Sequence, residues 1–170
     1  MAVREGTRGA DRLTGTAFAD IIEGKAGNDV LFGLGGNDIM DGDLGNDTIN
    51  GGAGNDNIEG GGGADRIFGG TGNDIISGDD GNDFMNGGAG NDRFVFDSGE
   101  GDDRIAGFTA GGTLDRLDLR DAGFNFVHFD QVLARASNVG GNVVIDLGTG
   151  DSVTLIGVTE AQLTAGDFIL

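Results

Sequence analysis

The residue type best suited to chemistry in this sequence is aspartate, which recurs at a fixed interval. Ten consecutive nine-residue segments run from residue 6 to residue 95, and an eleventh copy, SGEGDDRIA, follows after two further residues. Each has aspartate at its sixth position: Asp11, Asp20, Asp29, Asp38, Asp47, Asp56, Asp65, Asp74, Asp83, Asp92 and, in the last copy, Asp103. A carboxylate is a hard oxygen ligand to which turn carbonyls can add neutral oxygens. The spacing therefore indicates a repeated site for a hard cation.

Glycine and apolar residues recur at fixed positions relative to the aspartates. Glycine stands first in each of the ten segments and fourth in most, where it is expected to permit positive φ and close backbone approach. The eighth position is always apolar: Leu13, Ile22, Leu31, Met40, Ile49, Ile58, Ile67, Ile76, Met85 and Phe94. Each segment thus predicts a short strand with one inward side chain. One inward residue cannot form a core alone, so the segments must stack.

A few residues depart from the pattern. Phe18 replaces the fourth-position glycine beside Asp20, which makes the site between Asp20 and Asp38 doubtful. Lys25 and Leu34 replace glycine at the second position. Four aspartates outside the sixth column are expected to be solvated charges: Asp41, Asp43, Asp79 and Asp80.

These columns resemble the RTX nonapeptide, G-G-x-G-x-D-x-(large apolar)-x, over residues 6–106. The resemblance implies an all-β fold, a right-handed parallel β-roll in which two nonapeptides form one turn. Alternate aspartates then stack along two edges, and each Ca²⁺ lies between aspartates of consecutive turns. Neighbouring pairs set an upper limit of about nine ions, of which roughly seven or eight are expected. Backbone carbonyls are implied as further ligands around Gly27, Gly36, Gly45, Gly54, Gly63, Gly72, Gly81 and Gly90.

The composition describes a chain that needs help to fold. There are 37 glycines, no proline and no cysteine among 170 residues, and the net charge is −19. Collagen would be rich in proline and a disordered acidic tail poor in aliphatic residues, whereas 37% of this chain is hydrophobic. Such acidity disfavours nucleic acid, and no apolar run is long enough for a membrane span. Because its stacked acids repel one another, the roll is predicted to be unfolded without calcium.

From about residue 107 the period gives way to ordinary patterning. We expect a strand, a short helix, a hairpin and a helical turn opened by a capping box, at residues 114–119, 129–136, 142–147 with 151–157, and 159–162. Seven of the 11 phenylalanines lie from Phe94 onward, enough for a denser core. The chain is therefore divided into a lead-in (1–5), the calcium-binding roll (6–106) and a β-rich cap (107–170).

The C-terminal part also resembles serralysin-type RTX exoproteins. The resembling stretches are RFVFDSGEGDDRIAGF, LDRLDL, GNVVIDLGTGDSVTLIGV and the ending Asp167-Phe168-Ile169-Leu170. The resemblance implies secretion from a Gram-negative bacterium by a type I apparatus, through an uncleaved C-terminal signal. It also implies a covalently linked upstream domain, unless the chain is a small RTX protein in its own right. Asp115 and Asp118 are open to two interpretations, one extra calcium site or a solvated strand face.

No catalytic constellation emerges from the sequence. A zincin needs two histidines at helical spacing, but His128 is the only one and is expected to be structural. The serines lie outside any G-x-S-x-G motif, and the glycine-rich stretches lack the lysine of a P-loop. We therefore predict that the module is not an enzyme and serves calcium-dependent folding and export.

The alternative function is a calcium-dependent polysaccharide-binding module of an extracellular carbohydrate-active enzyme. Against it, the basic residues look scattered along the sequence: Arg4, Arg8, Arg12, Arg66, Arg93 and Arg104.

Overall fold

Strands form where the end of each nonapeptide places an apolar residue between two outward-facing ones. A computed structural model describes residues 1–111, 114–122, 126–148 and 150–170. In chain order the strands are β1 (Val3–Glu5), β2 (Arg12–Thr14), β3 (Ile21–Glu23), β4 (Val30–Gly35), β5 (Ile39–Asp41), β6 (Thr48–Ala53), β7 (Asn57–Glu59), β8 (Arg66–Thr71), β9 (Ile75–Ser77), β10 (Phe84–Ala89), β11 (Arg93–Asp97), β12 (Asp102–Ile105), β13 (Arg116–Asp121), β14 (Ala136–Val139), β15 (Asn142–Gly148), β16 (Asp151–Leu155) and β17 (Phe168–Ile169).

Successive strands alternate between two facing sheets. Sheet A has the order β1-β3-β5-β7-β9-β11-β13-β17, and sheet B has the order β14-β15-β16-β12-β10-β8-β6-β4-β2. All neighbouring pairs up to β12 are parallel. The predicted parallel β-roll is confirmed as a solenoid of about six turns.

The register stacks equivalent residues one coil apart. Met40 pairs with Ile22 and Ile58 in sheet A, while Ile49 pairs with Leu31 and Ile67 in sheet B. The predicted inward column is confirmed, since its members from Ile22 to Phe94 are at most 1% exposed. Leu13, in the first coil, is only partly buried because no coil covers it.

The C-terminal residues extend both sheets instead of forming a separate layer. Strand β16 pairs in parallel with β12, and β17 pairs in parallel with β13. Strand β15 lies between β14 and β16 and is antiparallel to both. Apolar residues of this part, among them Leu117, Val143 and Val153, are fully buried and continue the core of the roll.

Two details of the cap differ from the sequence-based expectation. Helix α1 (Phe129–Leu133) ends before residue 136, because Ala136 begins β14 and pairs with Ile145. Leu114 lies outside β13 and is 42% exposed. The hairpin forms as expected, although its residue 149 lies outside the described residues.

The predicted lead-in and the predicted capping box both have defined structure. Strand β1 pairs with β3 in the register of the roll, with Val3 opposite Ile21. The lead-in therefore adds a strand to sheet A one coil before β3. At the predicted capping box, a 3-10 helix (Glu160–Gln162) begins where Thr159 N–H donates to Gln162 Oε1 at 2.8 Å. No helix in the described ranges is long and apolar enough to cross a bilayer.

Candidate metal sites

The sixth-position aspartates stack along two edges of the roll. Each lies in the turn just before its strand, except Asp103, which is the second residue of β12. The first edge holds Asp11, Asp29, Asp47, Asp65, Asp83 and Asp103, and the second edge holds Asp20, Asp38, Asp56, Asp74 and Asp92. Except for Asp11, all of them are at most 2% exposed. Ordinary solvated acids are not buried in this way, so these side chains need partners.

From Asp29 onward, one carboxylate oxygen of each sixth-position aspartate accepts a hydrogen bond from the preceding coil. From Asp11 onward, the backbone N–H of an aspartate donates to Oδ1 of the aspartate one coil later, at 2.6–3.0 Å. The same bond joins Asp92 N–H to Asp115 Oδ1 at 3.0 Å, so Asp115 extends the second edge. Asp115 follows Asp92 by 23 residues in the sequence and therefore lies outside the repeat pattern. For that reason the sequence alone did not decide between a calcium ligand and a solvated residue.

The other oxygen, Oδ2, is buried and has no hydrogen-bond partner in eight of these aspartates. They are Asp29, Asp38, Asp47, Asp56, Asp65, Asp74, Asp83 and Asp92. Leaving one buried carboxylate oxygen unpaired is strongly unfavourable, and here the arrangement recurs in every regular coil. Eight such atoms in a periodic array mark positions where a cation would supply the missing partner.

The first-position glycines show what surrounds these unpaired oxygens. A Cβ built on Gly60 would lie 2.6 Å from Asp65 Oδ2 and 2.6 Å from the carbonyl oxygen of Gly78, one coil later. At Gly24 the corresponding oxygens belong to Asp29 and Gly42, both at 2.7 Å. A carboxylate oxygen and a carbonyl oxygen from consecutive coils thus converge at each first-position glycine from Gly24 to Gly69. This donor chemistry fits Ca²⁺.

Glycine is required at the first and at the fourth position of the repeat for different structural reasons. Positive φ occurs at the fourth position, for example 139° at Gly45, and a Cβ there would overlap the carbonyl oxygen of Gly27. The first-position glycines do not have positive φ, so the sequence-based expectation was wrong for them. Besides the fourth position, positive φ occurs at the second position of the repeat, where Lys25 and Leu34 have φ of 77° and 75°.

The first two repeats have a different turn. Thr16 donates to Asp20 Oδ2 from its backbone N–H at 2.6 Å and from Oγ1 at 2.7 Å. Thr7 does the same for Asp11, at 2.6 and 2.8 Å. Both predicted ligands therefore have hydrogen-bonded Oδ2 atoms. Phe18, at the glycine position of the second repeat, is 71% exposed and does not have positive φ.

Burial and like charge act together on the regular aspartates. Burial, with a smaller contribution from neighbouring carboxylates, raises the pKa of Asp83 to about 8 and that of Asp103 to about 7. The pKa of Asp47, Asp65 and Asp74 rises to about 6 for the same reasons. In contrast, hydrogen bonds from Thr7 lower the pKa of Asp11. The regular sites therefore favour a compensating positive charge.

Asp118 and the four aspartates that were expected to be solvated do not have a buried unpaired oxygen of this kind. Asp118 is paired with Arg120, whose Nη2 lies 2.6 Å from Asp118 Oδ2. Asp80 is exposed, as expected of a solvated charge, whereas Asp41, Asp43 and Asp79 are only partly exposed. No group of three or more acidic or histidine side chains in the described ranges is placed to hold a metal ion. Any site must therefore be completed by backbone oxygens.

Comparison with known families agrees with this geometry. The sequence model of the RTX calcium-binding nonapeptide repeat matches four times, over residues 5–40, 33–67, 41–76 and 59–94. These matches span more than half of the chain, which therefore belongs to the RTX calcium-binding nonapeptide repeat family. Repeats of this family bind calcium, and the two buried aspartate edges fit that property.

Two solved structures are similar to the chain. The extracellular lipase LipA from Serratia marcescens has 18% identity and a TM-score of 0.49, covering 97% of this chain and 39% of the lipase chain. The AlgE6R3 subunit of the Azotobacter vinelandii mannuronan C5-epimerase has 25% identity and a TM-score of 0.46, covering 96% and 80%. The chain thus spans less than half of the lipase. No curated protein matched the sequence.

Proposed function

We propose that this module folds on calcium and that its ions lie between consecutive coils along both edges. The observation that carries the proposal is the array of eight buried, unpaired Oδ2 atoms. Four of these mark sites on the first edge, at Asp29, Asp47, Asp65 and Asp83. The other four mark sites on the second edge, ending at Asp92 beside Asp115. Eight ions are thus proposed, within the seven or eight expected from the sequence.

Circular dichroism and calcium counting test this proposal. In EGTA at pH 8 the spectrum should be that of an unfolded chain, and millimolar calcium should produce a β-rich spectrum with about eight bound ions. An equally β-rich spectrum in both buffers would contradict calcium-dependent folding. Magnesium at the same concentration is the control, because its strict octahedral geometry suits these flexible carbonyl-rich turns poorly.

We further propose that this folding accompanies type I secretion from a Gram-negative bacterium, where the module stabilises a covalently linked exoprotein domain. Supporting this, the proposed C-terminal signal is part of the fold. Asp167 is fully buried, and Phe168 is buried against Phe129 at a ring distance of 5.5 Å. A folded module hides this segment, so recognition by the export apparatus would have to precede calcium binding.

A secretion assay tests the export role. Deleting residues 167–170 should abolish export of a fused reporter from cells that carry a type I apparatus, without abolishing calcium binding by the purified protein. Export that continues after the deletion would refute the signal function. The module itself is proposed to be non-catalytic, since its sequence has a single histidine and no serine in a G-x-S-x-G setting.

Polysaccharide binding remains the second candidate. The arginines are less scattered than the sequence suggested, because Arg12, Arg66 and Arg104 occupy one column on the outer face of sheet B. Arg12 lies 4.4 Å from the ring centre of Phe32, and Arg66 lies 4.9 Å from that of Phe84. Titration with a uronic acid polymer in calcium discriminates the two functions, and no binding would remove this candidate.

A further inference from the structure

Glu100 differs from every other acid outside the sixth column. It occupies the third position of the eleventh copy and is only 7% exposed. Its Oε2 is buried without a hydrogen-bond partner, and among the carboxylate oxygens of the described ranges it shares this property only with those of the eight regular aspartates. Burial raises the pKa of Glu100 to about 7, although the nearby backbone N–H of Asp97 acts in the opposite direction. A buried unpaired carboxylate oxygen calls for a partner.

The backbone places Glu100 at the end of the first edge. Its carbonyl oxygen accepts a hydrogen bond from Gly81 N–H at 2.7 Å, just as the carbonyl of Asp80 accepts one from Gly63 N–H at 2.7 Å. Glu100 therefore stands one coil beyond Asp80 in the same column, directly over the turn that leads to Asp83. Asp80, at the equivalent position, is exposed.

Two sixth-column aspartates flank this position. Asp83 N–H donates to Asp103 Oδ1 at 2.9 Å, and Asp83 Oδ2 is unpaired. The charge of Glu100 contributes to the raised pKa of Asp103, and the charge of Asp83 contributes to that of Glu100, so the three carboxylates lie within electrostatic range. None of the ion pairs in the described part of the chain includes Glu100. Negative charge accumulates here without a protein cation to balance it.

We propose that Glu100 is an additional side-chain ligand of the calcium site between Asp83 and Asp103. The proposal rests on the calcium binding proposed above and makes this site different from the other seven. A third carboxylate raises the ligand charge, which is one of the means by which proteins tighten calcium binding. Because no three acidic side chains already converge, the Glu100 carboxylate moves onto the ion as calcium binds, and carbonyl oxygens complete the shell.

A matched pair of variants tests this role. Glu100→Gln keeps the shape of the side chain and removes its charge, whereas Asp80→Asn removes the exposed acid at the equivalent position one coil earlier. Calcium titration against a chromophoric chelator should show that Glu100→Gln weakens the tightest class of site by about tenfold or more. Asp80→Asn should leave the titration unchanged. In crystals grown with calcium, a Glu100 oxygen should lie about 2.3–2.6 Å from an ion.

The opposite results separate this proposal from the one on which it rests. If Glu100→Gln titrates like wild type and is at least as stable, Glu100 is a buried neutral acid and not a ligand. A calcium ion beside Asp83 with the Glu100 carboxylate turned away would overturn the proposal equally. A wild-type protein that takes up no calcium would refute both proposals, whereas a silent Glu100→Gln in a calcium-binding protein refutes only the role of Glu100.

Discussion

Glycine is required at the first position of a repeat because two oxygen atoms lie where a Cβ atom would be. A Cβ on Gly60 would lie 2.6 Å from Asp65 Oδ2 and from Gly78 O, the two atoms proposed to face calcium. Gly60→Ala should therefore remove one bound ion and lower the free energy of unfolding in calcium by about 1–3 kcal/mol. Equilibrium denaturation and calcium counting measure both effects.

Gly62→Ala is the control for this substitution. Gly62 lies two residues away in the same turn, and the nearest atom to its added Cβ would be Leu44 Cδ2 at 3.2 Å, on a side chain that is 66% exposed. The control should change stability by no more than about 0.5 kcal/mol. Equal effects of the two substitutions would mean that general backbone crowding, and not the oxygen pair, explains the first-position glycines.

Two aspartates of the second edge should respond differently to neutralisation. Asp56 has an unpaired Oδ2, whereas Oδ2 of Asp20 already accepts two hydrogen bonds from Thr16. Asp56→Asn should reduce the number of bound calcium ions by one, and Asp20→Asn should leave that number unchanged. Ion counting on gel-filtered protein in calcium-buffered solution distinguishes them. Loss of an ion from Asp20→Asn would show that the threonine turn does not replace the metal.

At the scale of strands and turns, the sequence predicts the structural features that repeat with the nonapeptide. It does not predict features that depend on a contact outside the repeat pattern. The inward column and the two edges follow from the nine-residue period, because a parallel register places equivalent residues next to one another. The threonine turns were missed because Thr7 and Thr16 look like ordinary second-position substitutions until their hydrogen bonds to aspartate are visible. Strand β14 was missed because its four residues, ASNV, carry little apolar patterning.

The short strand β17 is predicted to hold the cap on the roll. Phe168 pairs with Leu117, is 7% exposed and lies against Phe129. Phe168→Ala should lower the free energy of unfolding in calcium by about 3 kcal/mol, because it leaves a cavity at the end of the core. Val139→Ala, at a residue 57% exposed, is the control and should be nearly neutral. A Phe168→Ala protein as stable as wild type would show that the roll does not depend on this strand.

For the whole molecule, calcium and protons are expected to act as alternative means of neutralising the edges. Burial raises the pKa of Asp83 from 3.8 to about 8, and that of Asp103 from 3.8 to about 7. An unfolded chain keeps ordinary values near 4, so the folded roll binds protons more tightly than the unfolded chain. The stabilisation by protons is therefore fully present below about pH 4 and is lost as the pH rises through about 6 to 8.

In calcium-free buffer, after calcium has been removed with EGTA at pH 8 and the chelate dialysed away, the β-rich circular dichroism signal should accordingly be stronger at pH 5 than at pH 8. The calcium affinity should show the opposite pH dependence and be lower at pH 5 than at pH 8. Protons compete with calcium for the same oxygens, so more calcium is needed for folding at pH 5. Because the isoelectric point is about 4.1, sedimentation must show that the acid form is monomeric and not an aggregate. A calcium-free signal that is constant between pH 5 and pH 8 would mean that the buried carboxylates do not control folding. In that case the instability of the calcium-free chain would lie in its glycine-rich backbone alone.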